Sequence, residues 1–253
     1  MTLRRIGPPV IVIGAILVAW EVYCRFANVS PVVLPAPSRI IEQLWVFRSD
    51  AVRHAVPTLV ETGLGLLISI AVSIAAAVAM DRFLVVRSAI EPLFVASQTV
   101  PIVAIAPLMV LWFGFGLTPK ILVVVLVTFF PVTIALLDGF AAASGEATDL
   151  LRSLGAGRLE IFRKLRWPAA LPSFFTGLRI AATYGVIGAV FGEYVGAYEG
   201  LGIWMQLSQN AFRTDLVFGA ILLSAALSVA LFGLVRVAER LVIPWYGASR
   251  AAR

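Results

Sequence analysis

The sequence predicts an all-α integral membrane protein with six transmembrane helices, and three observations carry that prediction. The chain of 253 residues is 60% hydrophobic and only 13% charged, whereas soluble domains carry about a quarter charged residues. Its mean hydropathy of +0.97 comes from Leu, Ile, Val, Ala and Phe gathered in runs close to the ~20 residues that a helix needs to cross a bilayer. The basic residues also segregate between the two sides of those runs.

The crossings fall at Pro8–Ala27, Thr58–Met80, Ile90–Gly114, Ile121–Ala141, Phe174–Val195 and Leu216–Val235. The first follows Arg4 and Arg5, as a signal peptide would. It is longer than a signal h-region, and Trp20, Glu21 and Tyr23 stand where a small-residue cleavage site belongs, so it reads as a retained helix. An even number of crossings puts both termini on one side. With those termini in the cytoplasm, fourteen basic residues face inward (Arg4, Arg5, Arg82, Arg87, Arg152, Arg158, Arg163, Lys164, Arg166, Arg179, Arg236, Arg240, Arg250, Arg253). Six face outward (Arg25, Arg39, Arg48, Arg53, Lys120, Arg213). This is the direction of the positive-inside rule. The net charge of +6 therefore reports topology and affinity for an anionic inner leaflet, and nothing in it points to nucleic acid.

After the first crossing, Leu34-Pro-Ala-Pro-Ser38 makes a Pro-locked extended connector, with Ser38 suited to cap the next helix. Over Arg39–His54 the apolar residues Ile40, Leu44, Phe47 and Ala51 recur at helical spacing. That pattern fits either an amphipathic helix on the outer membrane surface or an ordinary packed loop helix. The third crossing carries Pro92, Pro101 and Pro107. Each removes a backbone donor inside the membrane, which suits a pathway through a bundle as well as plain packing. Gln98, Thr99 and Pro101 are the pathway candidates there, with Glu193 at the outer end of the fifth crossing; an interfacial carboxylate facing water is the other reading of Glu193. Small residues on one face of the fifth crossing (Gly177, Ala181, Gly185, Gly188) permit close helix approach, within the subunit or between subunits. Ala71, Ser73, Ala75, Ala76 and Ala77 enrich the second crossing likewise.

Several chemistries are excluded. One Cys (Cys24) and one His (His54) build neither a disulfide framework nor a metal-ligand cluster, so no catalytic residues, metal site or cofactor are expected. Acidic residues sit near segment ends rather than in the middle of crossings, against the needs of an ion-coupled carrier. The two lysines, Lys120 before Ile121 and Lys164 before Leu165, rule out a Gly-x-x-x-x-Gly-Lys-Ser/Thr phosphate loop. If the chain drives transport, its energy comes from another polypeptide.

One polar island interrupts the oily sequence: Asp149-Leu-Leu-Arg-Ser-Leu-Gly155, then Arg163-Lys-Leu-Arg-Trp-Pro168. Gly155 is placed to stop a helix, and a second short helix over Arg158–Arg166 is expected to end near Pro168. Leu150, Leu151, Leu154, Leu159, Ile161 and Phe162 give this pair an apolar knob, and Arg152, Arg158, Arg163, Lys164 and Arg166 ring it with positive charge. Such a knob suits a protein socket or an anionic lipid surface.

Asp149, Leu150, Leu151, Gly155, Leu165, Trp167 and Pro168 resemble the cytoplasmic EAA loop of binding-protein-dependent ABC importer permeases. The order is acid-small-small, three residues, Gly, nine residues, then apolar-x-Leu-Pro. Here Asp stands for Glu, Leu for both alanines and Trp for the Leu before Pro, while the Gly-to-Pro spacing is kept. Leu34-Pro-Ala-Pro-Ser-Arg39, Thr99-Val-Pro-Ile, Ala106-Pro-Leu-Met-Val-Leu-Trp-Phe-Gly-Phe-Gly116 and Glu193-Tyr-Val-Gly-Ala-Tyr-Glu-Gly-Leu-Gly202 resemble the nitrate/sulfonate/taurine-type permeases. Within that type, Ser97–Ile102, Val123–Pro131 and Ser173–Val190 resemble permeases for thiamine pyrimidine precursors or riboflavin.

The resemblance implies a type I ABC importer permease fold in a bacterial inner membrane. It divides the chain into an N-terminal helix (1–30), an extracytoplasmic connector with an amphipathic helix (31–56), a five-helix type-1 core (57–240) with a coupling loop at 144–172, and a cytoplasmic tail (241–253). It implies a homodimer, two ATPase subunits docked through Asp149, Leu150, Leu151, Gly155, Leu159, Ile161, Phe162, Leu165 and Pro168, and a solute-binding protein delivering substrate outside. The uncharged middle of the crossings favours a small, mostly uncharged or aromatic solute. An ion-coupled secondary transporter and a lipid-modifying enzyme are the competing classes.

Overall fold

The computed structural model describes residues 3–246, and these form helices joined by short turns. In chain order they are α1 (Leu3–Phe26), α2 (Pro37–Val46), α3 (Arg48–Arg82), α4 (Leu84–Gln98), α5 (Ile102–Phe113), α6 (Leu117–Ala141), α7 (Gly145–Ser153), α8 (Arg158–Ile161), α9 (Trp167–Gly196), α10 (Leu201–Asn210) and α11 (Thr214–Val242). A π-helical turn, Phe162–Arg166, joins α8 to α9. Among the described residues, α3, α6, the continuous stretch Arg158–Gly196 and α11 are long and apolar enough to cross a membrane; α5 is apolar but shorter.

Helix α9 is the axis of the fold, packing most extensively on α6 and then on α11, α3, α10 and α5. Its small residues explain how. A Cβ on Gly177 would lie 2.5 Å from the Ala135 Cβ, and one on Gly192 would lie 3.2 Å from the Lys120 Cα. Ala181 and Ala182 between them are fully buried. The small-residue face of α9 is thus spent on packing within the subunit, against the alternative that it joins two subunits. On α3 only Ser73 and Ala77 of the small cluster are buried, and Gly65 lets Val124 of α6 approach.

Four local expectations change. The predicted surface helix over Arg39–His54 is two helices: α2 ends at Phe47, whose N–H closes on the Gln43 carbonyl, and the rest is the first turns of α3. Ser38 is not the cap of α2. Pro37 opens that helix after Ala36, and the Ser38 N–H and hydroxyl both donate to the Glu21 carboxylate (3.0 and 2.7 Å), tying α2 to α1. The third crossing is discontinuous, broken at Thr99-Val100-Pro101 between α4 and α5. Pro101 brings no N–H and disfavours helix at Val100, while the Thr99 hydroxyl and N–H both donate to the Ala96 carbonyl (2.7 and 3.1 Å). Pro168 ends no helix. It sits in the first turn of α9, where a missing N–H costs little, and the Trp167 N–H reaches back to the Phe162 carbonyl through the π turn.

Candidate functional site

Two regions at opposite ends of the bundle concentrate the polar chemistry. The first is the polar island. Ser144 caps α7 by accepting the Ala147 N–H, and Gly155 ends it at φ +85. There the Gly155 N–H donates to the Arg152 carbonyl and the Ala156 N–H to the Leu151 carbonyl, both at 2.9 Å. This is the paired-bond arrangement that a left-handed glycine completes at a helix end.

Beyond the turn, Ile161 is buried and Phe162 packs with Trp167 and with Phe140 of α6, ring centroids 5.4 to 6.3 Å apart. An Arg166–Asp81 ion pair (2.6 Å) fastens the turn to the end of α3. The predicted docking residues therefore separate into two groups. Ile161 is buried, and Phe162, Leu165, Pro168 and Leu151 are half-buried. Asp149, Leu150 and Leu159 stand exposed, with Leu154 beside them. Three leucines remain 61%, 74% and 69% exposed (Leu150, Leu154, Leu159) on the segment that leads into this anchored turn.

The second region lies where α10 begins. Three consecutive backbone donors, the kind a helix N-terminus leaves unsatisfied, end on side chains of α3 and α9. The Gly200 N–H donates to His54 Nδ1 (3.1 Å), the Leu201 N–H to Thr58 Oγ1 (2.9 Å) and the Gly202 N–H to Glu193 Oε2 (2.7 Å). The Thr58 hydroxyl in turn donates to Glu193 Oε1 at 2.5 Å. Because His54 Nδ1 accepts, its proton resides on Nε2, and the ring stacks on Trp204 of α10.

Beside this cap, Lys120 of α6 pairs with Glu61 of α3, both buried. Glu193 is fully buried, which overturns its reading as a carboxylate facing water. Gly200 (φ +138) and Gly202 have no room for a side chain, since a Cβ on either would strike Glu193 or the Val190 carbonyl. Nearby, Asp215 at the start of α11 accepts from Arg213 Nε (2.9 Å) and from Arg39 Nε of α2 (3.3 Å).

The pathway candidates do not share one site. The Gln98 side chain lies outside the described residues, Thr99 is exposed at the helix break, and Glu193 belongs to the α10 cap. The break adjoins a cavity of about 210 Å³ lined by Val100, Ile102, Leu126, Val127, Phe130 and Tyr184, among others. Sequence reasoning missed Thr58, Glu61, Lys120 and His54 as a group, because their partnership spans α3, α6 and α9. A carboxylate within an apolar run at Glu61 and a lysine opening another at Lys120 were its only signals.

A bundle of long apolar helices around α9, with a discontinuous crossing and a protruding helix pair at one end, is the architecture of a transport-system membrane subunit. Residues 69–244 match the family of binding-protein-dependent transport system inner membrane components, and the chain belongs to that family. It is similar to the formylaminopyrimidine transport permease protein ThiX of Halalkalibacterium halodurans, 37% identical over 91% of this chain and 92% of the relative. It is also similar to the taurine transport system permease protein TauC of Escherichia coli, 30% identical over 96% of this chain and 91% of that one. Its fold is that of a chain of the MetNI methionine ABC transporter in an inward-facing form, with a TM-score of 0.55 at 18% identity, covering 78% of this chain and 97% of that one. The protein is thus a multi-pass inner-membrane permease subunit of an ABC importer, not an enzyme by itself. Membership in this family implies ATPase and solute-binding partners.

Proposed function

We propose that the chain crosses the membrane six times, through α1, α3, the broken pair α4–α5, α6, α9 and α11, with both termini in the cytoplasm. The fourteen-to-six distribution of basic residues supports this orientation. On this reading the α7 end is cytoplasmic and the α10 end faces outward. Two copies of the chain enclose the pathway, and each receives one ATPase subunit on the segment 144–172. The observation that carries the docking assignment is the trio Leu150, Leu154 and Leu159, exposed beside a turn that Ile161, Phe162 and the Arg166–Asp81 ion pair anchor to the bundle. Leaving that much apolar surface in water is unfavourable unless a partner covers it. Closure of the ATPases moves α8 and α9 together, because α8, the π turn and α9 form one continuous stretch. The motion passes directly to the central helix.

The solute is a small organic molecule of the kinds that relatives' names record, such as formylaminopyrimidine, riboflavin or taurine. Reconstitution in proteoliposomes tests the reading: the chain, its ATPase and its solute-binding protein support uptake only with ATP inside. Uptake by the chain alone under an ion gradient, without ATP, would instead establish a secondary carrier.

A further inference from the structure

We infer that the cavity at the α4–α5 break is a stopping point for a small, uncharged, planar nitrogen heterocycle, and that Phe130 and Tyr184 are the side chains that select it. This rests on the importer reading above and narrows its solute.

The cavity lies beside the only discontinuity in the crossings among the described residues, where Val100 and Ile102 flank Pro101. Phe130 of α6 and Tyr184 of α9 give it two aromatic rings, and Val100, Ile102, Ile105, Leu126 and Val127 give it apolar walls. Aromatic faces favour flat π systems. The side chains of the lining are all neutral. Pro131, also in the lining, has no N–H to donate. The Tyr184 side chain is about half exposed, and its hydroxyl supplies a donor or acceptor.

No lining residue carries charge. The nearest cation along α6, Lys120, is two turns away and already neutralised by Glu61. The sulfonate group of a solute brought here would meet no counter-charge from the lining. The volume of about 210 Å³ is below the ~300 Å³ at which sites for drug-sized ligands begin, which suits one ring better than a fused tricycle. Among formylaminopyrimidine, riboflavin and taurine, the solutes that relatives' names record, the cavity best fits the single pyrimidine ring.

The test uses the whole complex with its ATPase and solute-binding protein in proteoliposomes, with formylaminopyrimidine and taurine as probes. ATP-dependent uptake of formylaminopyrimidine is expected, with taurine at least tenfold slower. Tyr184→Ala and Phe130→Ala are each expected to lower formylaminopyrimidine uptake at least tenfold, and Tyr184→Phe, which keeps the ring, to keep half or more. Co-purification of the ATPase with each variant verifies assembly, and Tyr184→Phe against Tyr184→Ala gives the comparison if Phe130→Ala fails to assemble. Preference for taurine, no uptake of formylaminopyrimidine, or wild-type uptake in both alanine variants overturns the inference. ATP-independent uptake of either probe would overturn the importer reading itself, a separate outcome.

Discussion

The two ends of the bundle are built on opposite principles. At the α10 end, ionisable and polar side chains are buried against one another: Lys120 with Glu61, and Glu193 with Thr58 and the Gly202 N–H. At the α7 end the charges lie at the surface, as in Asp149–Arg152 and Glu160–Lys164, and apolar leucines project into solvent. Surface ion pairs contribute little to stability, whereas breaking a buried pair strands a charge where water cannot reach it. The first end is therefore organised to hold one geometry and the second to offer a surface.

Substitutions should separate the two ends by size of effect. Lys120→Met should destabilise most, by about 3–5 kcal/mol, because Glu61 loses its counter-charge in a buried site. Thermal unfolding in detergent reads the change, and adding Glu61→Gln should recover most of the loss; a neutral single variant would show that the pair is not a buried one. Gly65→Ala should cost about 1–3 kcal/mol by overpacking, since its Cβ would sit 2.5 Å from Val124 Cγ1. The same unfolding measurement checks it, and Val124→Ala in the same chain should relieve part of the cost.

Thr58→Val keeps the shape but leaves the Leu201 N–H and one Glu193 oxygen unpaired. The expected loss is about 1–3 kcal/mol, with faster amide exchange at Leu201. At the other end, Gly155→Ala should cost about 1–2 kcal/mol for a side chain at positive φ. Its effect should stay local to α7, seen as raised exchange at Ala156 with little change in global unfolding. Leu154→Ser and Leu159→Ser should alter unfolding by no more than about 0.5 kcal/mol and yet reduce recovery of the ATPase on an affinity-tagged chain at least tenfold. Full recovery would remove the docking role from these leucines.

The polar island illustrates what local pattern conveys. Gly155 read as a left-handed helix stop because only local sterics decide that, and the turn is built as those sterics require. Pro168 read as a helix end for an equally local reason. The structure differs there because a π turn absorbs the missing donor and carries the helix on into α9. The α10 cap was not legible in the same way. Glu61, Lys120 and Glu193 lie 59 and 73 residues apart in the chain, and only the close packing that Gly65, Gly185 and Gly192 permit brings α3, α6 and α9 near enough for their side chains to meet.

By itself the sequence determined the membrane class, the long apolar spans and the helix stop at Gly155, because hydropathy and glycine act within a few residues of where they stand. Tertiary structure alone decided which polar groups are buried together and which leucines are left bare. It also decided that the α9 glycines pack inside the subunit, and that Tyr184, Phe130 and the Pro101 break share one cavity. Burial and pairing depend on neighbours distant in the chain, and helix packing is what brings them together.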